Sequence, residues 1–177
     1  MEEKMEFEVK HKITSDLSGR IADMGFFLKK ESHQVDHYFI NNEQREDGRH
    51  YLRIREDRIH QTASLDYHVV ITDLATKETE IKIDDPMGAK IILGYLGLKQ
   101  ICVVDKQRKS FSNGDVTLTL DTVKDLGEFI EIEIMGDDEE SAQIEISKIE
   151  SRLGLSEKER IRKQGYSDLL IRKTKGI

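Results

Sequence analysis

Met5-Glu6-Phe7-Glu8-Val9-Lys10 alternates apolar and charged residues one by one. Side chains of a strand point to its two faces in turn. This stretch therefore reads as a strand with Phe7 and Val9 on one face and Glu6, Glu8 and Lys10 on the other. The same period recurs along the chain. Leu52 and Ile54 alternate with Arg53 and Arg55, and Leu118 and Leu120 with Thr117, Thr119 and Asp121. Ile130, Ile132 and Ile134 alternate with Glu131 and Glu133. Weaker strands are expected over 33–40, 64–72, 76–83 and 103–111, giving about eight in all, more than a mean sheet holds. Turn residues fall between them at Glu46-Asp47-Gly48 and Ser112-Asn113-Gly114-Asp115, as hairpins require.

Helical spacing fills the gaps. Leu17, Ile21 and Met24 mark a helix over 15–28 with Ser15 as its N-cap. Asp85 before Pro86 opens a second, over 85–96, which Gly97 closes. Ala142, Ile146, Ile149 and Leu153 mark a third, over 138–153, ending at Gly154, and a short fourth is expected after Ser156. Runs of hairpin-linked strands separated by single helices favour an antiparallel α+β protein.

The chain has 177 residues, enough for one domain spanning 1–177. It carries 28 basic and 35 acidic residues, a net charge of -7, which argues against a nucleic-acid partner. Apolar runs fall far short of the roughly 20 residues a spanning helix needs, so no membrane partner is expected. The acidic opening has no apolar stretch, so no leader is expected, and a cytoplasmic location follows as the default. A single cysteine, Cys102, excludes an internal disulfide framework and reads as an apolar filler. His11, His33, His37, His50 and His60 show no metal-ligand spacing and read as structural or surface residues. The tail segments 160–163 and 172–175 are basic and read as a solvated face, or as a cover for one end of the sheet.

The charged strand faces decide the function class. Arg53 and Arg55, Lys106 and Arg108, Glu6 and Glu8, and Glu131 and Glu133 lie on single faces opposite Phe, Val, Leu and Ile. An open sheet would turn these faces to water. Eight strands are also enough to close a barrel, and closure makes the charged face a lumen. Burying unpaired ions costs several kcal/mol each, roughly, so such a lumen needs ion pairs, water or a ligand. Inward basic groups suit a polyphosphate. Carboxylates beside them suit Mg²⁺ or Mn²⁺, which prefer oxygen ligands.

Glu6-Phe7-Glu8-Val9-Lys10 resembles the Glu-x-Glu-x-Lys signature of the CYTH, or triphosphate tunnel metalloenzyme, superfamily. Leu52-Arg53-Ile54-Arg55 and Lys106-Gln107-Arg108 resemble its basic strands, and residues 120–133 its closing hairpin. Gly165-Tyr166-Ser167-Asp168-Leu169-Leu170 is similar to the tail of its class IV adenylyl cyclase branch. The resemblance implies an eight-stranded antiparallel closed barrel, a tunnel with helices outside, that binds a nucleoside triphosphate or polyphosphate. It implies metal ligands at Glu6, Glu8, Asp121, Glu131 and Glu133, and a catalytic role for Glu6, Glu8, Lys10 and Asp121. It implies substrate contacts from Lys10, Arg53, Arg55, His68, Lys106 and Arg108, and from Glu78 or Glu80. Two positions depart from the family pattern. His68 stands in Leu65-Asp66-Tyr67-His68 where lysine is usual, and Thr76-Lys77-Glu78-Thr79-Glu80 lacks an arginine. A protonated His68 could restore the charge, so phosphate binding is expected to tighten below neutral pH. The implied activity is conversion of ATP to cyclic AMP and pyrophosphate. The alternatives are hydrolysis of tripolyphosphate, thiamine triphosphate or a nucleotide, or binding without turnover. A homodimer is a further option the sequence leaves open.

Overall fold

A computed structural model describes residues 5–41, 50–162 and 164–176. Its strands are β1 (Met5–Ile13), β2 (Phe27–Ile40), β3 (His50–Asp57), β4 (Thr62–Val70), β5 (Ala75–Ile83), β6 (Lys99–Asn113), β7 (Val116–Val123) and β8 (Gly127–Gly136). Its helices are α1 (Ser18–Asp23), α2 (Pro86–Tyr95), α3 (Glu139–Leu153) and α4 (Tyr166–Lys175). The strands close into a barrel in the order β1-β5-β4-β3-β2-β6-β7-β8, with every neighbouring pair antiparallel. β8 pairs with β1 from Met5↔Gly136 to Ile13↔Glu128. The β1–β5 seam is short, Glu6↔Thr76 and Phe7↔Ala75, and is extended by the Glu8 N–H donating to the Leu74 carbonyl at 2.9 Å.

Closure sorts the alternating strands into an apolar outside and a charged inside. Phe7, Val9, Leu118, Ile130 and Ile132 point outward and are buried by Ala142, Ile146, Ile149 and Leu153 of α3 and Ile21 of α1. Each such side chain contributes about 1.5–3 kcal/mol on full burial. Leu93 of α2 covers Phe39 and Ile54 in a smaller cluster. Tyr166 of α4 packs with Tyr38, Val104, Val123 and Phe129. Asp138 caps α3 by accepting from the Ser141 N–H at 2.8 Å, and Asp85 caps α2 through the Gly88 N–H at 2.8 Å, next to Pro86.

Several boundaries differ from the sequence expectation. α1 ends at Asp23, not at 28, because Gly25 takes a φ of +85° and the chain turns into β2 at Phe27. Asp16, not Ser15, accepts from the first-turn Ser18 N–H, at 2.8 Å. β2 and β6 run several residues past their expected ends, pairing from Phe27↔Ser112 to Ile40↔Lys99. The fourth helix expected after Ser156 is a single 3-10 turn at Glu157–Glu159, and α4 follows it. The turn at Ser112–Asp115 is present, with Gly114 at a φ of +62°. The turn expected at residues 46–48 lies outside the described residues. No described helix is long and apolar enough to cross a membrane.

Candidate active site

Register brings the lumenal charges together. Directly opposed residues on neighbouring strands include Lys10↔Glu131, Asp36↔Arg55, Arg53↔Asp66, His68↔Glu78 and Arg108↔Asp121. Four of these are ion pairs with a hydrogen-bonding partner at short range. Arg55 donates from Nε to Asp36 Oδ1 at 2.7 Å and from Nη2 to Oδ2 at 2.9 Å. Arg53 Nε donates to Asp66 Oδ2 at 2.8 Å, and its Nη2 reaches Glu78 Oε1 at 3.1 Å. Arg108 Nε donates to Asp121 Oδ1 at 2.7 Å, and its Nη2 also binds Glu131. Lys10 Nζ lies 2.9 Å from Glu131 Oε1 and 3.3 Å from Glu8 Oε1. Bidentate guanidinium–carboxylate pairs fix orientation as well as charge, so these cations are held in place before any ligand arrives.

Asp36 is fully buried and also lies 3.3 Å from Lys106 Nζ. Despite the penalty of burial, Arg55 and Lys106 hold its carboxyl well below the usual range. Burial likewise opposes ionisation of Glu131, but Lys10 and Arg108 overcome it and hold that group well below its usual value. Lys106 is pushed down to about 8 by burial, with the Arg108 charge adding to the effect. This cation is under-compensated, and an anion beside it would hold its proton more tightly.

Among the described residues, three lumenal carboxylates remain without a guanidinium of their own. Burial, then Glu133 and Glu8, push Glu6 up to about 9. Burial, then Glu131, raise Glu8, although Lys10 offsets part of the effect. Burial, then Glu8, push Glu133 up to about 7. Glu8 and Glu133 face each other across the β1–β8 pair, and Glu6 lies two residues along on the same face. Burial and mutual repulsion make these three groups resist ionisation, and a dication beside them would relieve both. An all-oxygen donor set of this kind fits Mg²⁺ or Mn²⁺.

Glu6, Glu8, Lys10, Arg53, Arg55, His68, Glu78, Lys106, Arg108, Glu131 and Glu133 line one cavity of about 1200 Å³. Two expected residues do not line it. Glu80 is exposed beyond Glu78 on β5, which settles on Glu78 as the glutamate of that strand that faces the cavity. Asp121 lies behind Arg108 with both oxygens engaged, accepting from Arg108 and, at 2.9 Å, from the Tyr166 hydroxyl. Its contacts make it a holder of Arg108 rather than an open metal ligand. Glu131, also expected as a ligand, is likewise bonded through both oxygens, to Lys10 and Arg108.

His68 corrects a further expectation. Burial, then Arg53 and Arg55, push it down to about 2, so it is a neutral imidazole across the physiological range. It stacks on Tyr51 with ring centroids 4.6 Å apart and does not replace the lysine charge. The tail is not a merely solvated face. Arg160 is buried and grips Glu150 through Nε and Nη2 at 2.6 Å each, while His11 Nε2 meets Glu150 Oε1 at 2.8 Å. Arg172 and Lys175 of α4 reach the cavity, and the Tyr166 ring lies 4.3 Å from Lys10 Nζ and 5.2 Å from Lys106 Nζ, both within cation–π range. Sequence reasoning missed Asp36, Asp66 and Tyr166. The signal for Asp36 was its place at a lumenal position between Gln34 and Tyr38 on β2.

Comparison with known proteins agrees with this fold. A CYTH domain family model matches residues 4–164. A Methanocaldococcus jannaschii protein named "Putative adenylate cyclase MJ0240" is 30% identical over 138 residues, covering 75% of each chain. The solved PH1012 protein of Pyrococcus horikoshii superposes with a TM-score of 0.86 at 27% identity, covering 93% of this chain and 99% of its own. A Hippeastrum protein, described as a "putative adenylyl cyclase" with a dominant triphosphatase activity, shares the fold at a TM-score of 0.67 and 13% identity, covering 98% of this chain and 96% of its own. With a family match over nearly the whole described chain and a relative at 30% identity over three quarters of it, the chain belongs to the CYTH domain family.

Proposed function

We propose that the barrel binds ATP with a divalent cation and converts it to cyclic AMP and pyrophosphate. The observation that carries this reading is the gathering of three carboxylates that burial and mutual repulsion make resist ionisation beside a set of pre-oriented basic groups in one cavity. Glu6, Glu8 and Glu133 would hold Mg²⁺ or Mn²⁺. When bound, the cation would neutralise phosphate charge and ease loss of the ribose hydroxyl proton. Lys10, Arg55, Lys106 and Arg108 would bind the triphosphate, with Asp36, Asp121 and Glu131 holding them in position. Arg108 and Lys106 suit charge that builds on the leaving pyrophosphate, because they are fixed before the reaction and need no reorganisation. In the reaction the ribose 3′-hydroxyl would give its proton to water as its oxygen bonds to the α-phosphorus, and the bond from that phosphorus to the α,β-bridging oxygen would break in line, the pair leaving with pyrophosphate. The cavity of about 1200 Å³ has room for a nucleotide. The name carried by the 30% identical relative supports the cyclase choice.

Hydrolysis of a terminal phosphate is the second reading. It uses the same groups, with water as the nucleophile in place of the ribose hydroxyl. Incubation with ATP or tripolyphosphate and Mg²⁺ or Mn²⁺, with the products resolved, separates the two. Cyclic AMP with pyrophosphate supports cyclisation. Orthophosphate without cyclic AMP replaces it with hydrolysis. Binding without any product removes both and leaves a binding module.

A further inference from the structure

His68 stands on β4 directly opposite Glu78 of β5, and Asp66 lies two residues earlier on the same lumenal face. Alternation along the strand puts both side chains of Asp66-Tyr67-His68 on one side. Arg53 takes one oxygen of each neighbouring carboxylate, Asp66 Oδ2 and Glu78 Oε1. Among the described residues, neither Asp66 Oδ1 nor His68 Nε2, both buried, has a hydrogen-bond partner. Asp66 is fully buried and His68 is 5% exposed. Glu78 Oε2 lies 3.5 Å from His68 Nε2, outside hydrogen-bond geometry. Buried polar atoms are nearly always paired, so two unpaired ones beside a third acceptor call for a shared partner. In the tautomer that leaves Nε2 unprotonated, that partner must be electron-poor, since it faces two carboxylate oxygens and an imidazole lone pair.

Among the described residues, Asp66, His68 and Glu78 are the one group of three whose ligand atoms all lie within 4.8 Å of one another. We propose that Asp66, His68 and Glu78 bind a transition-metal dication of the zinc or cobalt type, at a site separate from Glu6, Glu8 and Glu133. The chemistry of the donors sets the choice. An imidazole nitrogen favours Zn²⁺, Co²⁺ and their neighbours, whereas Mg²⁺ prefers an all-oxygen octahedron. Arg53 sits on the outer oxygens, where it orients the carboxylates as an outer-shell partner does. Its charge also weakens any ion held by oxygens alone, which makes the nitrogen decisive. Tyr51 stacks on the imidazole at an interplanar angle of 13° and fixes the ring plane. His68 and Glu78 line the cavity, so an ion can enter from the lumen. The dication would put positive charge where the family resemblance leads one to expect lysine. The proposal does not depend on the reading of the barrel as an ATP site, since it needs only these three side chains.

The test is a Co²⁺ titration of the full chain, stripped of metal and held in excess Mg²⁺, read by the visible absorption of bound Co²⁺. One equivalent is expected to bind in spite of Mg²⁺. His68→Gln should weaken it by at least about tenfold, the lower end of what even an outer-shell partner costs. Glu133→Gln should leave it in place. The proposal is overturned if the wild type takes up no Co²⁺ under excess Mg²⁺, if His68→Gln binds as the wild type does, or if Glu133→Gln loses the equivalent. Should His68→Gln fold poorly, imidazole resonances of the wild type decide. Stoichiometric Zn²⁺ must shift the His68 Nε2 signal, and an unmoved signal refutes the site.

Discussion

Replacing Glu133 by glutamine should stabilise the metal-free protein while reducing its response to metal. In the folded state Glu133 titrates at about 7 against an ordinary 4.5, because burial and then Glu8 disfavour its charge. A carboxyl whose folded value is raised binds more protons folded than unfolded. Its contribution is whole below 4.5 and is lost as the pH rises through about 7. Every tenfold change in proton affinity between the folded and unfolded states is worth about 1.4 kcal/mol, which sets a ceiling of about 3 kcal/mol above pH 7. Glutamine also loses hydration on burial, so the expected gain is about 2 kcal/mol, or roughly 4–8 °C in a chain of this size. At pH 5 the wild-type group is mostly protonated and the gain should nearly vanish. With Mg²⁺ at pH 8 the order should reverse, the wild type gaining more melting temperature than Glu133→Gln. Thermal melts at pH 5 and pH 8, with and without Mg²⁺, read all four values. A variant no more stable than the wild type at pH 8 without metal would refute the reasoning, as would an equal gain at pH 5.

Other consequences follow from the same charges. Asp36→Asn strands Arg55 and Lys106 in the lumen and should cost about 3–5 kcal/mol, measured as a fall in the denaturant midpoint. Lys106, depressed to about 8, should bind tripolyphosphate with a steady affinity below pH 8 and lose up to about tenfold per pH unit above it. Lys106→Arg should flatten that dependence in isothermal titrations, and an identical pH profile in both proteins would remove Lys106 from the site. Tyr166→Phe loses a charge-assisted bond to Asp121 and should lower stability by about 2 kcal/mol in denaturant melts.

Much of the barrel was legible because one face of its strands is strictly apolar. β1, β7 and β8 could be read from alternation alone, since Phe7, Leu118 and Ile132 must meet a helix and Glu8 and Glu131 must not. The start of β2 was not legible. Phe27 and Leu28 are exposed, and a short link through the left-handed Gly25 separates them from α1. Lys10, Arg53, Arg55, Lys106 and Arg108 were legible as one lumenal set from strand alternation, and all five line the cavity. The acids that orient it were not, because Asp36 and Asp66 matter through the strand opposite, and register is not a local property of sequence. The same limit applies to His68. Its neutrality comes from burial and from Arg53 and Arg55, which sit elsewhere in the chain. The hydrogen bond from Tyr166 to Asp121 was not legible either, because only α4 brings the hydroxyl to it.

The most direct measurement is calorimetric titration of tripolyphosphate into the protein with and without Mg²⁺, alongside Glu8→Gln and Arg108→Ala. A lumen that gathers Glu6, Glu8 and Glu133 beside a set of oriented bases should bind one tripolyphosphate. That binding should be much tighter with Mg²⁺, Glu8→Gln should lose most of the Mg²⁺ effect, and Arg108→Ala should bind weakly under both conditions. No binding in the presence of Mg²⁺, or binding unchanged in both variants, would contradict a metal-dependent triphosphate site in the barrel.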